Sequence, residues 1–473
     1  MPSGPVLWEV SKISRMRFLL PAAFLLTSFP HLTWAQEVTP AAEARTDTSS
    51  VAARSTADAD SLLQESIAAA VSDSLKTLAD SAAAADSISA TQELQGSSDD
   101  VNQALKDVSR ERTGLIKWGP ISLAEEGWQR FRKKIDEKTG LKVGFAYTIL
   151  YQDASDGTEP LSGASGDLDL FGKWDVYEAK RNRGSLGFYI EWRHQFGDIT
   201  PQELGGQIGS QWPTTWAFGT RDFSLVQLWW EQYFLDNAAR LTLGKIDPAN
   251  YYNLNRSQNV NKQFINAAFS SNPALPWADN GLGFNLWVQP KDWVYLSVGA
   301  SDGNGVTEGF NTGDPGAGEL FSMIELGFSP KIAGKWKGNY RLGYWHYDAR
   351  EEDGLPEDSG WALSIDQDLT KNVILFFRFA TQDTTLTETE AVFASGLTVA
   401  GPLGQKDDLI GLGFAWGQPF GDFRDQYAIE MFYRLHLTAV LELSPAVTGI
   451  FSPTFDLGLP EVAVISFRAR ISL

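Results

Sequence analysis

The chain has 473 residues, enough for one large domain with an appendage or for two ordinary domains. Its net charge of −20 disfavours contact with a nucleic-acid backbone, and the lack of cysteine excludes disulfides, thiolate zinc sites and thiol catalysis. Its four histidines show no metal-ligand spacing, so neither a metal nor a cofactor is predicted. The 28 Phe, 17 Trp and 13 Tyr beside 43 Gly favour an aromatic-rich, turn-rich β protein.

Residues 1–35 have the pattern of a secretory signal peptide. Lys12, Arg15 and Arg17 precede a short apolar run, and a small-x-small ending follows at Ala35. Because the run is too short for a comfortable membrane span, export is predicted, with an N-terminal membrane anchor as the alternative. No later stretch reaches about 18 consecutive apolar residues, which excludes a helical membrane protein.

The next stretch, 36–110, is an acidic segment rich in Ala, Ser, Asp and Thr, which we call the stalk. It contains no aromatic residue and is too polar to form a core. A weak helical periodicity, which resumes at Val101, Leu105 and Val108, is typical of a coiled coil. A disordered linker explains the composition equally well, and both interpretations stay open.

Residues 111–140 are predicted to form a short periplasmic helix. Ser122 and Glu125 have the spacing of a capping box, which would begin the helix there. Gly140 is the predicted C-terminal stop, because the period of the pattern changes at the next residue.

From residue 141 to 473 the hydrophobic period is two. In the last segment, every second residue from Ala463 to Leu473 is apolar, whereas Ser466, Arg468 and Arg470 lie between them. A soluble β-sandwich alternates in the same way. Segments of about 10–13 residues, however, exceed the usual globular strand and match the length that spans a bilayer. We therefore predict an all-β fold, a transmembrane outer-membrane β-barrel over 141–473.

The connections allow the strands to be counted. Long connections, such as 197–222 and 247–280, alternate with short ones, such as 236–239, as extracellular loops and periplasmic turns do in bacterial barrels. A count of fifteen would leave the C-terminus on the wrong side, and 383–407 is long for one connection. An additional strand at 390–401 gives sixteen antiparallel strands, which enclose an aqueous channel instead of a packed interior.

By parity, a set of charged and aromatic residues faces the lumen. Arg and Glu can hydrogen-bond hydroxyl-rich solutes, and aromatic faces can stack on sugar rings. For any one of them, the alternative is that it only keeps the wall wet and cross-linked. The candidates are Tyr189, Glu191, Arg193, Trp229, Glu231, Tyr233, Arg378, Glu430, Arg434, Arg468 and Arg470.

The longest connection, 247–280, is a candidate constriction loop. Folding inward would narrow the lumen, and an exposed cap is the alternative. Its candidate residues are Asn250, Tyr251, Tyr252, Asn253 and Arg256.

Several motifs, in their order along the chain, resemble the carbohydrate-selective porins of the OprB family. They are Leu243-Gly-Lys-Ile-Asp-Pro-Ala-Asn-Tyr-Tyr252, Phe264-Ile-Asn-Ala-Ala-Phe269, Asn272-Pro273, Gly281-Leu-Gly283, Ser395-Gly-Leu-Thr398 through Asp408, Gly411-Leu-Gly413, Glu430, Tyr433-Arg434, Ser444-Pro445 and Arg468. The resemblance covers roughly 115–473 and leaves out the stalk.

The resemblance implies a sixteen-stranded, sugar-permeable channel whose constriction uses arginine and glutamate. Glu191-Trp-Arg193-His194 is similar to the Glu-x-Arg-His segment of the family, so Glu191 and Arg193 are the first candidates. Two features depart from the family. The chain ends on Leu473, where an aromatic residue is usual, and Pro445 interrupts a strand, which predicts a bulge or a strand end.

The predicted function is passive diffusion of monosaccharides, small oligosaccharides and similar hydrophilic solutes through the bacterial outer membrane. The barrel would contact outer-membrane lipid, and the stalk would lie in the periplasm. The alternatives are a general ion or solute porin and an envelope tether acting through 36–110. An enzyme is not expected, because no nucleophile elbow, metal pair or phosphate loop occurs. A homotrimer, and a periplasmic or cell-wall partner of the stalk, stay open.

Overall fold

The computed structural model describes residues 100–110, 112, 114–179, 181–310, 312–313, 318–351, 353–455 and 458–473. The predicted signal peptide and stalk residues 36–99 lie outside the described residues. Within the described ranges, no helix is both long enough and apolar enough to cross a membrane.

The described residues form four helices, a 3-10 turn and seventeen strands. The helices are α1 (Val101–Val108), α2 (Gly119–Thr139), α3 (Leu204–Gln207) and α4 (Ala267–Ser270), and the 3-10 turn is Pro248–Asn250. The strands are β1 (Leu141–Ala154), β2 (Ser162–Ala179), β3 (Asn182–Gln195), β4 (Arg221–Phe234), β5 (Ala239–Ile246), β6 (Gly281–Lys291), β7 (Val294–Asp302), β8 (Leu320–Phe328), β9 (Lys331–Ile332), β10 (Trp336–Tyr347), β11 (Asp358–Asp368), β12 (Val373–Thr381), β13 (Thr389–Ala400), β14 (Leu409–Pro419), β15 (Gln426–His436), β16 (Leu441–Phe451) and β17 (Glu461–Ser472).

The sheet closes on itself into a barrel. β1 pairs antiparallel with β2 on one side and with β17 on the other, so the sheet has no free edge. β9 has two residues and lies in the connection between β8 and β10, which pair directly with each other. The remaining sixteen strands confirm the predicted count, and β13 is the additional strand expected at 390–401.

The pleat separates a lumen face from an outer face. In β17, Arg468 and Arg470 are buried on the lumen side. On the other face of the same strand, Ile465 is 63% exposed and Phe467 is 46% exposed, as lipid-facing residues of a barrel are. The alternation in the sequence therefore correctly predicts which side chains of β17 face the lumen and which face outward.

The two ends of the barrel differ. Short connections, such as 235–238, lie at the end where β1 starts and β17 finishes, which we call the turn end. Long connections, such as 196–220 and 247–280, lie at the opposite end, which we call the loop end.

The start of the helix expected within 111–140 differs from its prediction. α2 begins at Gly119, Trp118 is its N-cap residue, and Pro120 occupies the first turn. The capping-box prediction at Ser122 is wrong, because proline at the first helical positions already starts the helix one turn earlier. Gly140 ends α2 in the left-handed conformation, with φ 72°, as predicted.

Pro445 neither bulges nor ends its strand, so that prediction is wrong. It lies inside β16 opposite Phe467 of β17. On its other side, Phe432–Ala446 and Leu435–Leu443 pair in one continuous register, and only the positions between them are unpaired. The ladder is interrupted locally where proline has no N–H to donate, and the strand continues.

Candidate constriction site

Residues 247–280, between β5 and β6, fold into the barrel, and we call them the inner loop. Asp247 accepts a hydrogen bond from the backbone N–H of Ala249 at 2.9 Å and starts the 3-10 turn. The Asn266 side chain accepts from the N–H of Ala268 at 3.0 Å and caps α4. Most side chains of the inner loop are buried. Of the two alternatives left open by the sequence, the inward fold is therefore the one observed.

Two charged residues of the wall bind the backbone of the inner loop. The Glu430 carboxylate accepts from the N–H groups of Ile265 and Asn266, both at 2.7 Å. Arg468 donates to the carbonyl oxygen of Gln263 at 2.9 Å and also to that of Val260. Glu430 and Arg468 therefore satisfy buried polar groups of a segment that has no ladder of its own.

Arg378 binds the inner loop from a neighbouring part of the wall. Its guanidinium donates to the carbonyl oxygens of Phe269, at 3.2 Å, and of Ser271. It also donates to the Asn253 side-chain oxygen at 2.6 Å. These bonds connect the end of α4 with the start of the loop.

Arg256 is a residue of the inner loop whose own side chain binds the wall. It donates to Asp366 and, at 2.6 Å, to Asp368 on β11. Asn255 donates to the Ser364 hydroxyl at 3.3 Å on the same strand. Arg256 is therefore an anchor of the loop, with a side chain that is only 1% exposed.

Phenylalanine rings fill the space between the inner loop and the wall. The Phe264 ring lies 5.0 Å from Phe269, 5.5 Å from Phe376 and 4.9 Å from Phe432, between centroids. A Cβ on Gly413 would lie 2.8 Å from a Phe269 ring carbon and 3.0 Å from a Phe264 ring carbon. Two of the resemblance motifs, Phe264–Phe269 and Gly411-Leu-Gly413, therefore pack directly against each other.

The start of the inner loop, 249–254, separates two cavities, and we call it the partition. Tyr252 and Asn253 line a cavity of about 970 Å³ toward the loop end, the loop-end cavity. Asn250 and Tyr251 line a cavity of about 1000 Å³ toward the turn end, the turn-end cavity. Burial raises the pKa of both tyrosines, so their phenols stay neutral hydrogen-bonding groups.

A glutamate flanked by two arginines lies beside the loop-end cavity. Glu191 accepts from Arg193 at 2.9 and 2.6 Å and also from Arg221. Arg193 and Arg221 line the loop-end cavity together with Trp216, whereas Glu191 is buried behind them. The carboxylate thus fixes the direction in which both guanidinium groups point.

Asp167, Asp169 and Glu191 are a buried cluster of carboxylates whose oxygen atoms lie within 4.8 Å of one another. Such a cluster can hold a divalent cation. Here, however, Tyr189 donates to Asp169 at 2.7 Å and Arg470 lies 3.4 Å from it. With Glu191 already bound to its two arginines, side chains of the protein already satisfy and neutralise much of this cluster.

A second charged group lies at the turn-end cavity. Glu231 pairs with Lys173, accepts from the Tyr233 hydroxyl at 2.6 Å, and lies 3.5 Å from Arg240. Trp229, Glu231 and Tyr233 all line this cavity.

The predicted lumen residues therefore separate into two groups. Those that line a cavity are Arg193, Arg378, Trp229, Glu231 and Tyr233. Those that are buried in the wall or under the inner loop and line neither cavity are Tyr189, Glu191, Glu430, Arg434, Arg468 and Arg470. Arg434, for example, donates to the Asp407 carbonyl oxygen at 3.3 Å and lies 3.9 Å from Glu442.

Some residues of these clusters were missed in the sequence. Asp167, Asp169 and Lys173 alternate on the lumen face of β2, so parity alone would have found them. Arg221 is the first residue of β4, but its position was assigned to a connection, where parity does not apply.

A closed sixteen-stranded barrel whose lumen is narrowed by an inward-folded loop is the architecture of a porin-type channel. The sequence model of the carbohydrate-selective porin, OprB family, matches residues 163–473, and the chain belongs to this family. The protein is accordingly an outer-membrane sugar porin.

The fold is similar to that of one solved structure in particular. The high-pH structure of Pseudomonas putida OprB aligns with a TM-score of 0.61 and 17% identity, over 73% of this chain and 97% of that chain. The low-pH structure of the same protein gives a TM-score of 0.48 and 17% identity, over 73% and 96%. A triple mutant of the Rhodopseudomonas blastica porin gives 0.47 and 10%, over 70% and 100%. No curated protein matches the sequence.

Proposed function

We propose that sugars pass from the loop-end cavity, across the partition at 249–254, into the turn-end cavity. The observation that carries this proposal is the lining of the loop-end cavity, where Trp216 and Trp277 lie in the same surface as Arg193 and Arg221. Indole rings stack on the apolar faces of sugars, and guanidinium groups donate to their hydroxyls.

The pairing of the charges favours a neutral, hydroxyl-rich solute over a free ion. Glu191 neutralises much of the positive charge of Arg193 and Arg221, and both guanidinium groups line the cavity. A hydroxyl can hydrogen-bond to a guanidinium group, and its binding requires no net charge at the site. Glu191 is then a positioning residue, and the two arginines are the solute contacts.

Conductance of the purified protein in planar bilayers tests the proposal. We expect stepwise channels whose current falls as sugar is added, and a weaker sugar block for Arg221→Gln. Arg181→Gln is the matched control, because it removes the same charge from an exposed pair with Asp236 at the turn end. The block in this control should equal that of the unaltered protein.

Each outcome has a separate meaning. No channels at all would contradict a porin. Channels that are indifferent to sugar would leave a general ion or solute porin, and an equal loss of block in both variants would remove the assignment of the solute contact to Arg221.

We also infer that the turn end faces the periplasm, because short connections of bacterial barrels lie there. The stalk would then lie in the periplasm. Protease cleavage of the turn 235–238 only after the outer membrane is permeabilised would support this orientation.

Assembly as a homotrimer is a further proposal, which native mass spectrometry of the detergent-solubilised protein tests.

A further inference from the structure

The last residues of the stalk lie inside the barrel as α1. Its apolar residues Val101, Leu105 and Val108 are buried against lumen-facing side chains that include Phe171 and Trp229. These apolar residues therefore pack on the inner surface of the barrel wall, whereas in a coiled coil they would pack on a second helix.

Polar contacts hold α1 to the wall and to the inner loop. Asp107 pairs with Lys262 of the inner loop and with Arg112 of the segment that follows α1. Asn102 accepts from Lys173 of β2 at 2.8 Å. These three contacts, which are buried or partly buried, fix the rotation of α1 about its axis.

The segment after α1 is held at the barrel rim. Arg132 of α2 donates to the carbonyl oxygens of Val108, at 2.9 Å, and of Val143, at 2.6 Å. A Cβ on Gly114 would lie only 2.2 Å from the backbone of Thr438, so the chain touches the β15–β16 turn directly. α1 is thus held both by its own contacts with the wall and inner loop and by the contacts of the segment that follows it at the rim.

A second face of α1, adjacent to the apolar one, is polar and lines the turn-end cavity, which Val101 and Leu105 also reach. Asn102, Lys106 and Ser109 form one side of this cavity, and Trp287 and Tyr295 lie among the residues of the barrel wall that line the rest. Lys106 and Ser109 are exposed. A helix with its apolar face on the wall and its polar face toward water is placed as a lining of the cavity.

We propose that α1 is a selectivity element of the channel, which forms one wall of the outlet and sets the width and charge that a leaving solute meets. This rests on the proposed function, because it assumes that solute crosses the turn-end cavity. Lys106 is the residue of α1 whose cation faces that path. The inner loop would restrict solute entry, and α1 would restrict solute exit.

Because the chain has no cysteine, a single introduced thiol can report on this wall. Lys106→Cys is inserted into planar bilayers and treated from the turn-end side with charged methanethiosulfonates, one adding trimethylammonium and one adding sulfonate. We expect both reagents to reduce the single-channel conductance in discrete steps that a reductant reverses. The two added charges should shift ion selectivity in opposite directions.

Lys133→Cys on α2 is the matched control, because Lys133 is 77% exposed and lines neither cavity. Its modification should leave conductance and selectivity unchanged. Complete labelling of Lys106→Cys, verified by mass spectrometry, without any change in conductance would overturn the proposal, as would an equal change in the control. Sugar block of the unlabelled protein is measured in parallel, so failure of the sugar path is distinguishable from failure of the α1 assignment.

Discussion

Two pairs of charged residues on the lumen face of the wall have different roles. Glu430 and Arg468 bind backbone groups of the inner loop, whereas Glu191 and Arg193 bind each other beside an open cavity. Residue type and inward parity are the same in both pairs. Parity therefore identifies the lumen face, but it does not distinguish a side chain that binds the inner loop from one that lines a cavity, and Arg378 does both.

The largest expected effect comes from the aromatic contact that keeps the inner loop in place. Phe264→Ala should lower the free energy of unfolding by about 3–5 kcal/mol, because it leaves a cavity among three other rings. Thermal unfolding in detergent micelles, followed by circular dichroism, measures the change. Phe310→Ala, at a side chain that is 70% exposed, should change it by less than about 0.5 kcal/mol. Equal effects of the two variants would contradict a packed inner loop.

The second effect concerns the carboxylate that binds the inner loop. Glu430→Ala removes the acceptor of two buried N–H groups but also the desolvation cost of the carboxylate, so the free energy of unfolding should fall by about 2–3 kcal/mol in total. The freed loop should also make the channel current larger and noisier in planar bilayers. Glu430→Gln retains one acceptor oxygen and should have a smaller effect. If Glu430→Ala left both stability and current unchanged, Glu430 would belong with the cavity-lining residues instead.

Much of the fold could be predicted because each strand repeats a local pattern. The alternation in β17 identified its lipid face, and the parity of the connections required the strand that became β13. The start of α2 was misplaced because two signals competed, and Pro120 prevailed over the capping-box spacing at Ser122.

The site was less predictable, because its contacts join positions far apart in the chain. Nothing local to Glu430 indicates that it binds Ile265, and nothing local to Val101 indicates that its partner is the barrel wall. Even the family motifs are informative only as a set, since Gly413 has a reason to be glycine only once Phe264 is placed against it. The sequence analysis thus identified the lumen face and offered the inward loop as one of two alternatives, but it did not show which charged residues bind that loop and which line a cavity.

A smaller effect on stability is expected at the cavity. Arg221→Gln leaves Glu191 with its second partner, Arg193, and the new amide can still donate to the carboxylate, so the free energy of unfolding should fall by only about 1 kcal/mol. The reversal potential in a salt gradient should move toward cation preference, because one positive charge leaves the loop-end cavity. Arg221→Gln should therefore change ion selectivity with little loss of stability, whereas Glu430→Ala should cause a larger loss of stability. A loss of stability as large as that of Glu430→Ala would remove the distinction between loop-holding and cavity-lining charges.

The smallest effect is expected for a lysine at the turn end that neither binds the inner loop nor lines a cavity. Lys133 pairs with Glu137 at 3.8 Å on the exposed face of α2, and Lys133→Ala should change stability by less than about 0.5 kcal/mol. Its charge is screened within about 8–10 Å at physiological salt, so the reversal potential should not move. If it moved as far as for Arg221→Gln, the overall charge at the mouths would govern selectivity, and the position of a charge within the wall would not. An unchanged potential would restrict electrostatic selection to side chains that line the cavities.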